Sequence, residues 1–350
     1  MTSTTYTGYV GTYTKKDSQG IYSFHLEDDQ IKNIELAAKL ENPTYLTISS
    51  NQSHLYAVMK EGDLGGVAAY ELDSRHSGLT LLNKHLSPGA SPCHVSLDPK
   101  SQYLLSANYH KGTVDYYSLL QNGEIKNLLT SKEIHGSGPH ERQEKPHTHF
   151  AGLTPDEKYV VAVDLGADEI ILFRRDGDKL TKHFTLATQP GSGPRHITFH
   201  PNGKWAYCMT ELSSEIIALQ YDTEKGELKE ISYYKTIPED FLENNQGSAI
   251  HLSQDGKFLY AGNRGHNSIA IFAVAEDRLH ITFVAHTSTY GDWPRDFVLD
   301  PTEEYLIAAN ERSNNLTLFK REAESGLLQL LQQNVPVPEP VCVKFLPQQL

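Results

Sequence analysis

Four permanent cations, Lys60, Arg195, Arg264 and Arg295, stand at corresponding places of a repeated phrase in a chain whose formal net charge is −13. A local positive cluster inside so negative a global field points to a small anion as ligand. Guanidinium groups are well suited to binding one, because they keep their charge near neutral pH and grip carboxylate or phosphate through a planar fork. His149 and Glu211 occupy the same register and add groups that handle protons. An imidazole ordinarily titrates near neutrality, whereas Glu211 would need its pKa raised to do so. Together these side chains offer anion binding, charge stabilisation and proton transfer at one reacting centre. Tyr13, Tyr109 and His147 complete the candidate set as substrate contacts.

The register comes from the phrase itself. Its best copies read GSGPRHITFHPNGKWAYCMTEL (191–212) and GDWPRDFVLDPTEEYLIAANER (291–312), with weaker ones at 41–62, 90–111, 145–166 and 245–266. Aligned on the mid-phrase turn, they bring Ser50, Pro99, Pro155, Pro201, Gln254, Pro301 and Pro347 into line, 46 to 56 residues apart. Self-similarity at this period marks a solenoid or a propeller. Within each copy an apolar run, a turn rich in Pro, Asp, Asn and Gly, and a second β-branched run predict a hairpin, strands A and B. A third run (DEIILFRR, SEIIALQY, NSIAIFAV) and a weaker fourth complete each unit as strands C and D. No helical period occurs, so four antiparallel strands repeated along the chain predict propeller blades.

The first copy lacks its A strand, and the last supplies only PVCVKF (340–345). The two complement each other. The prediction is therefore an all-β, seven-bladed β-propeller spanning 1–350 as one domain, its ring closed by the C-terminal strand pairing in the N-terminal blade. Because A starts and B ends at the same face, two sets of residues converge there. The A-start set is Thr44, Cys93, His149, Arg195, Ser248, Arg295 and Val341; the B-end set is Tyr13, Lys60, Tyr109, Leu165, Glu211, Arg264 and Glu311. A purely structural ring would repeat one residue type, and these do not. The two longest D-to-A connections, 135–147 and 236–247, are expected to wall the same face, with His140, Arg142 and His147 of the first within reach of a ligand.

Composition narrows the classes. The acidic balance argues against nucleic acid, whose phosphates need a basic stripe. Three scattered cysteines fit neither a disulfide framework nor a zinc knuckle, and the seventeen histidines show no HExxH spacing. No metal and no cofactor are expected. There is no phosphate loop opening a helix and no nucleophile elbow. The N-terminal MTSTTYTGYVGTYT has no apolar core and no long apolar run follows, so a cytoplasmic protein off the membrane is expected, a monomer or weak homo-oligomer. Cys93 reads as a small neutral filler. His94 and His196 follow ring residues, so strand alternation should point them away.

The motifs GTYT with GIYSF, PCHVSLDP, HTHFAGLTPDEKYVVAVDLGAD, GSGPRHITFHPNGKWAYCMTELSS, NRGHNSIAIF, WPRDFVLDP and PVCVKF resemble, in order and over nearly the whole chain, the seven-bladed propeller lactonase family. That family includes propeller-type 6-phosphogluconolactonases and carboxymuconate cyclases. The resemblance implies hydrolysis of 6-phospho-D-glucono-1,5-lactone, a small anionic sugar lactone, in the pentose phosphate pathway. The family's proposed His, Arg, Glu and Arg fall on His149, Arg195, Glu211 and Arg264, the same positions that the register selects. Thr210 (for the frequent Asn) and Met59 depart from the family pattern without touching those four. Arg195 and Arg264 are expected at the carbonyl, Arg295 or Lys60 at the phosphate, and either Glu211 or His149 as general base. Substituting Arg264, Arg195 or Glu211 is expected to lower kcat/KM by two or more orders of magnitude with thermal stability nearly unchanged. Two other readings stay open at this point: a muconate-type lactonase or cyclase acting on a carboxylated lactone, and a non-catalytic propeller scaffold.

Overall fold

Alternation of β-branched and aromatic residues with polar turns gives seven sheets of four antiparallel strands in a computed structural model, which describes residues 5–73, 78–276 and 280–347. No helix among the described residues is long and apolar enough to cross a membrane. Six sheets follow chain order strictly. The seventh is built from both ends of the chain: Pro340–Phe345 lies against Tyr6–Thr12, which leads on to Gly20–Glu27 and Gln30–Lys39. The complementarity of the two incomplete copies thus reappears as backbone pairing, Gly8 opposite Phe345 and Val10 opposite Val343.

By contacts the chain forms two compact units. One comprises the chain up to Leu104, Tyr117–Asn127 and the chain from Thr289 onward; the other comprises Leu105–Tyr116 and Leu128–Ser288. Within the second unit the B strands Tyr159–Asp164 and Phe258–Arg264 are buried along their whole length, because each is covered on both faces. Val161, Val163, Ile170 and Leu172 of one sheet pack against Ile197, Cys208, Ile217 and Leu219 of the next. Tyr207, Met209 and Ile216 pack in turn against Ile250, Leu259 and Phe272. Each such fully buried aliphatic side chain contributes roughly 1.5–3 kcal/mol. The D strand Lys179–Ala187 is mostly exposed and carries lysines, which discourages pairing with another chain.

In the first unit the closing strand has a lock. Asp296 Oδ2 accepts hydrogen bonds from the Val343 N–H (3.0 Å) and from Lys344 Nζ (3.2 Å). Burial alone would lower the Lys344 pKa, but the Asp296 carboxylate outweighs it and holds the ammonium charged well above its ordinary range. Asp296→Ala would leave that ammonium without its carboxylate and is expected to cost about 3 kcal/mol. Chemical denaturation of the two proteins checks this; an unshifted midpoint would remove the lock from the account.

Candidate active site

Three A strands of the second unit begin with the same irregularity, and it aims the functional side chains. Along Thr148–Leu153 the pairing runs Thr148 to Asp164 and then Phe150 to Val163, so His149 is an inserted residue. Arg195 is inserted in the same way between Pro194, opposite Thr210, and His196, opposite Met209. In the third sheet of this unit Ser248 and Ala249 fall within the register shift between Gly247 and Ile250. Such bulges turn a side chain out of strict alternation. The entry to the Arg195 bulge is fixed by Gly193, whose φ of 60° is in the left-handed region. Its N–H donates to Asp168 Oδ1 (2.8 Å), and its carbonyl accepts from the Glu211 N–H (2.7 Å). A Cβ here would come 2.5 Å from Leu212 Cγ, so glycine is required on both counts.

The second unit brings Arg195, Glu211 and Arg264 into direct contact. Glu211 Oε2 accepts from Arg195 Nε (3.1 Å) and lies 2.7 Å from Arg264 Nη2; Oε1 accepts from Arg142 Nη2. The two strand arginines are also tied to backbone, Arg195 Nη1 to the Ser248 carbonyl (2.7 Å) and Arg264 Nη2 to the Gly247 carbonyl (2.6 Å). All three members of this inner group are buried. Burial alone would raise the Glu211 pKa. Arg264, then Arg195, His149 and Arg142 outweigh it and hold the carboxyl well below the usual range. Glu211 is therefore ionised and a poor proton acceptor, the reverse of the raised pKa that a base at this position needs. Ser248 Oγ is buried beside the group and has no hydrogen-bond partner among the described residues.

His149 flanks the cluster among aromatic rings. Its ring meets Tyr109 edge-on at 5.7 Å and His196 at 5.1 Å between centroids. His196 also lies 5.8 Å from the Phe150 ring centroid, so it packs against the neighbouring sheet. His147 stacks flat on Tyr109 at 4.2 Å, with Nδ1 bonded to the Tyr109 carbonyl (2.9 Å) and Nε2 to Glu144 Oε2 (3.2 Å). It bears on the site through Tyr109. His94 lies against Tyr45 in the first unit.

Tyr13, Lys60 and Arg295 also belong to the first unit. Arg295 lies 5.3 Å from the Tyr13 ring centroid and 3.8 Å from Glu311, and Lys60 Nζ lies 3.6 Å from Glu41. Arg142 lies outside the repeat register, in the 135–147 loop, and is one of the three loop residues expected within reach of a ligand. The available signal was the loop's extra length. The 236–247 loop is held by Thr236 Oγ1 on Asn263 Oδ1 (2.8 Å) and by Phe241 against His266. Among the described residues no group of three His, Cys, Asp or Glu side chains is placed to hold a metal ion.

Sheets of this kind carrying an arginine–glutamate–histidine centre can be matched to known proteins. The family described as lactonase, 7-bladed beta-propeller matches residues 7–345. The 6-phosphogluconolactonase of Bacillus subtilis (strain 168) is 52% identical over 347 residues, 99% of each chain. A crystal structure of a protein from Lactobacillus plantarum superposes with a TM-score of 0.94 at 41% identity, covering 98% of this chain and 99% of that one. The periplasmic gluconolactonase of Pseudomonas aeruginosa superposes with a TM-score of 0.93 at 30% identity, with the same coverage. The protein is thus a β-propeller enzyme that hydrolyses lactones. It belongs to the seven-bladed β-propeller lactonase family.

Proposed function

We propose that the protein hydrolyses 6-phospho-D-glucono-1,5-lactone to 6-phospho-D-gluconate as a cytoplasmic step of the pentose phosphate pathway. The observation that carries this reading is the convergence of three guanidinium groups on one buried carboxylate beside His149. The name of the Bacillus subtilis relative supports the substrate, and three free cysteines agree with a reducing compartment.

Hydrolysis adds water to C1 of the lactone and breaks the bond from C1 to the ring oxygen. In this reading His149 takes a proton from the attacking water while Arg195 and Arg264 stabilise the oxyanion forming on the carbonyl oxygen. The proton then passes to the departing ring oxygen, which becomes the C5 hydroxyl, and C1 becomes a carboxylic acid that loses its remaining proton to solvent. Glu211, held ionised, aligns the two guanidinium groups and fixes their separation. Ser248 Oγ offers a hydrogen bond to a sugar hydroxyl.

The test is lactone opening measured against the spontaneous background for the phosphorylated lactone, D-glucono-1,5-lactone and a carboxylated muconolactone. The phosphorylated lactone is expected to give the highest kcat/KM, by at least about tenfold. The rate is also expected to survive exhaustive chelation, since arginines supply the charge stabilisation. Preference for the muconolactone, no rate above background, or loss of rate restored by added calcium would each sink the assignment.

A further inference from the structure

Of the three guanidinium groups on Glu211, one is built differently. Arg195 and Arg264 come from strands, are buried, and each also donates to a backbone carbonyl. Arg142 comes from the 135–147 loop, its side chain is 32% exposed, and its side-chain partners are Glu211 and the Tyr109 hydroxyl (3.4 Å). It can leave Glu211 without stranding a buried charge, because the two strand arginines remain in place. Neither of those arginines has that freedom.

The loop beneath it is rigid. Gln143 is fully buried and ties the turn together: its Nε2 donates to the Leu165 carbonyl (2.8 Å), its N–H to the His140 carbonyl (2.8 Å), and its Oε1 accepts from the His140 N–H (3.1 Å). Gly138 donates to the Gln143 carbonyl (2.9 Å), and a Cβ there would come 2.3 Å from Gln143 Oε1. The Arg142 N–H is itself held by His140 Nδ1 (3.1 Å). A fixed backbone therefore presents one long, partly solvated cation to the cluster.

We infer that Arg142 is the clamp for the substrate's phosphate. In the free protein its guanidinium rests on Glu211, and an arriving phosphate dianion takes it over, with the Tyr109 hydroxyl as a neighbouring donor. A dianion with three acceptor oxygens competes with a carboxylate already served by two other arginines, and the guanidinium fork matches phosphate geometry. Release of Arg142 also withdraws one of the three guanidinium groups from Glu211. The inference rests on the phospholactonase reading above and names the residue that gives it substrate preference.

The test compares Arg142→Ala, Arg142→Lys and Gln143→Ala with the wild type on 6-phospho-D-glucono-1,5-lactone and on D-glucono-1,5-lactone. For Arg142→Ala the ratio of the two kcat/KM values is expected to fall about 30- to 100-fold, carried mainly by KM for the phosphorylated lactone. The lysine variant should recover part of the loss, and Gln143→Ala should move the ratio the same way by loosening the turn. Calorimetric titration with 6-phosphogluconate and with gluconate gives a readout without turnover: the preference for the phosphorylated acid should shrink by the same factor. Equal losses on both lactones would mean that Arg142 acts only through Glu211, and an unchanged ratio would mean that it binds no phosphate; either overturns the clamp. Should the wild-type protein itself show no preference for the phosphorylated lactone, the function reading falls and the clamp falls with it.

Discussion

Glu211→Gln is expected to lower kcat/KM at least about 1,000-fold and to lower the melting temperature by about 5–10 °C. The first effect follows from geometry. One carboxylate sets the positions of Arg195 and Arg264, and a neutral amide attracts neither with comparable strength. The second follows from burial: Glu211 is as deeply enclosed as its two strand partners, so losing its charge leaves buried cations uncompensated. Near-full retention of thermal stability, expected from residue positions alone, is therefore revised by their depth. The pH dependence has a definite sign. The folded pKa of Glu211 is depressed, so its stabilisation is fully present above the unfolded value of about 4.3 and is lost as pH falls toward the folded one. Thermal melts of both proteins at neutral and acid pH should show the wild-type advantage narrowing below about pH 4. A variant as stable and as active as the wild type would refute the assignment of Glu211 as the organising group.

Arg195→Ala and Arg264→Ala are each expected to cost at least about 100-fold in kcat/KM. The double variant should not show the product of the two losses. Both guanidinium groups meet the same oxygen of Glu211 and serve the same developing charge, so removing either disorganises the other. The combined loss is expected to exceed the worse single loss by less than about tenfold, as for groups that work as one unit. Fully multiplicative losses in steady-state kinetics would show two independent contributions and would separate these arginines from a shared oxyanion site.

What could be read from the residues alone, and what could not, divides along a physical line. The seven blades and the pairing of PVCVKF with the first strands were legible, because the period and the incomplete end copies are properties of the string. His149, Arg195, Glu211 and Arg264 were legible as a set for the same reason: equivalent positions in a repeat are equivalent in space. The bulge that aims His149 and Arg195 was not, since an inserted residue is invisible until pairing is known. Arg142 lay outside the register and was named through the length of its loop, but its contact with Glu211 was not foreseen. Its role depends on a turn closed by Gln143, and tertiary hydrogen bonds of that kind leave no periodic trace. The sign of the Glu211 shift was hidden too, because it depends on burial and on which cations crowd the carboxylate.

Pairing of Tyr6–Thr12 with Pro340–Phe345 has a consequence for biosynthesis. During synthesis Tyr6–Thr12 finds this partner only once Pro340–Phe345 has been translated, on the order of tens of seconds later at ordinary elongation rates. Throughout that interval the nascent polypeptide carries an open hydrogen-bonding edge beside Tyr9 and Val10, both fully enclosed once folding is complete. A stop codon ahead of Pro340 would make that exposure permanent and leave a product prone to cross-chain association.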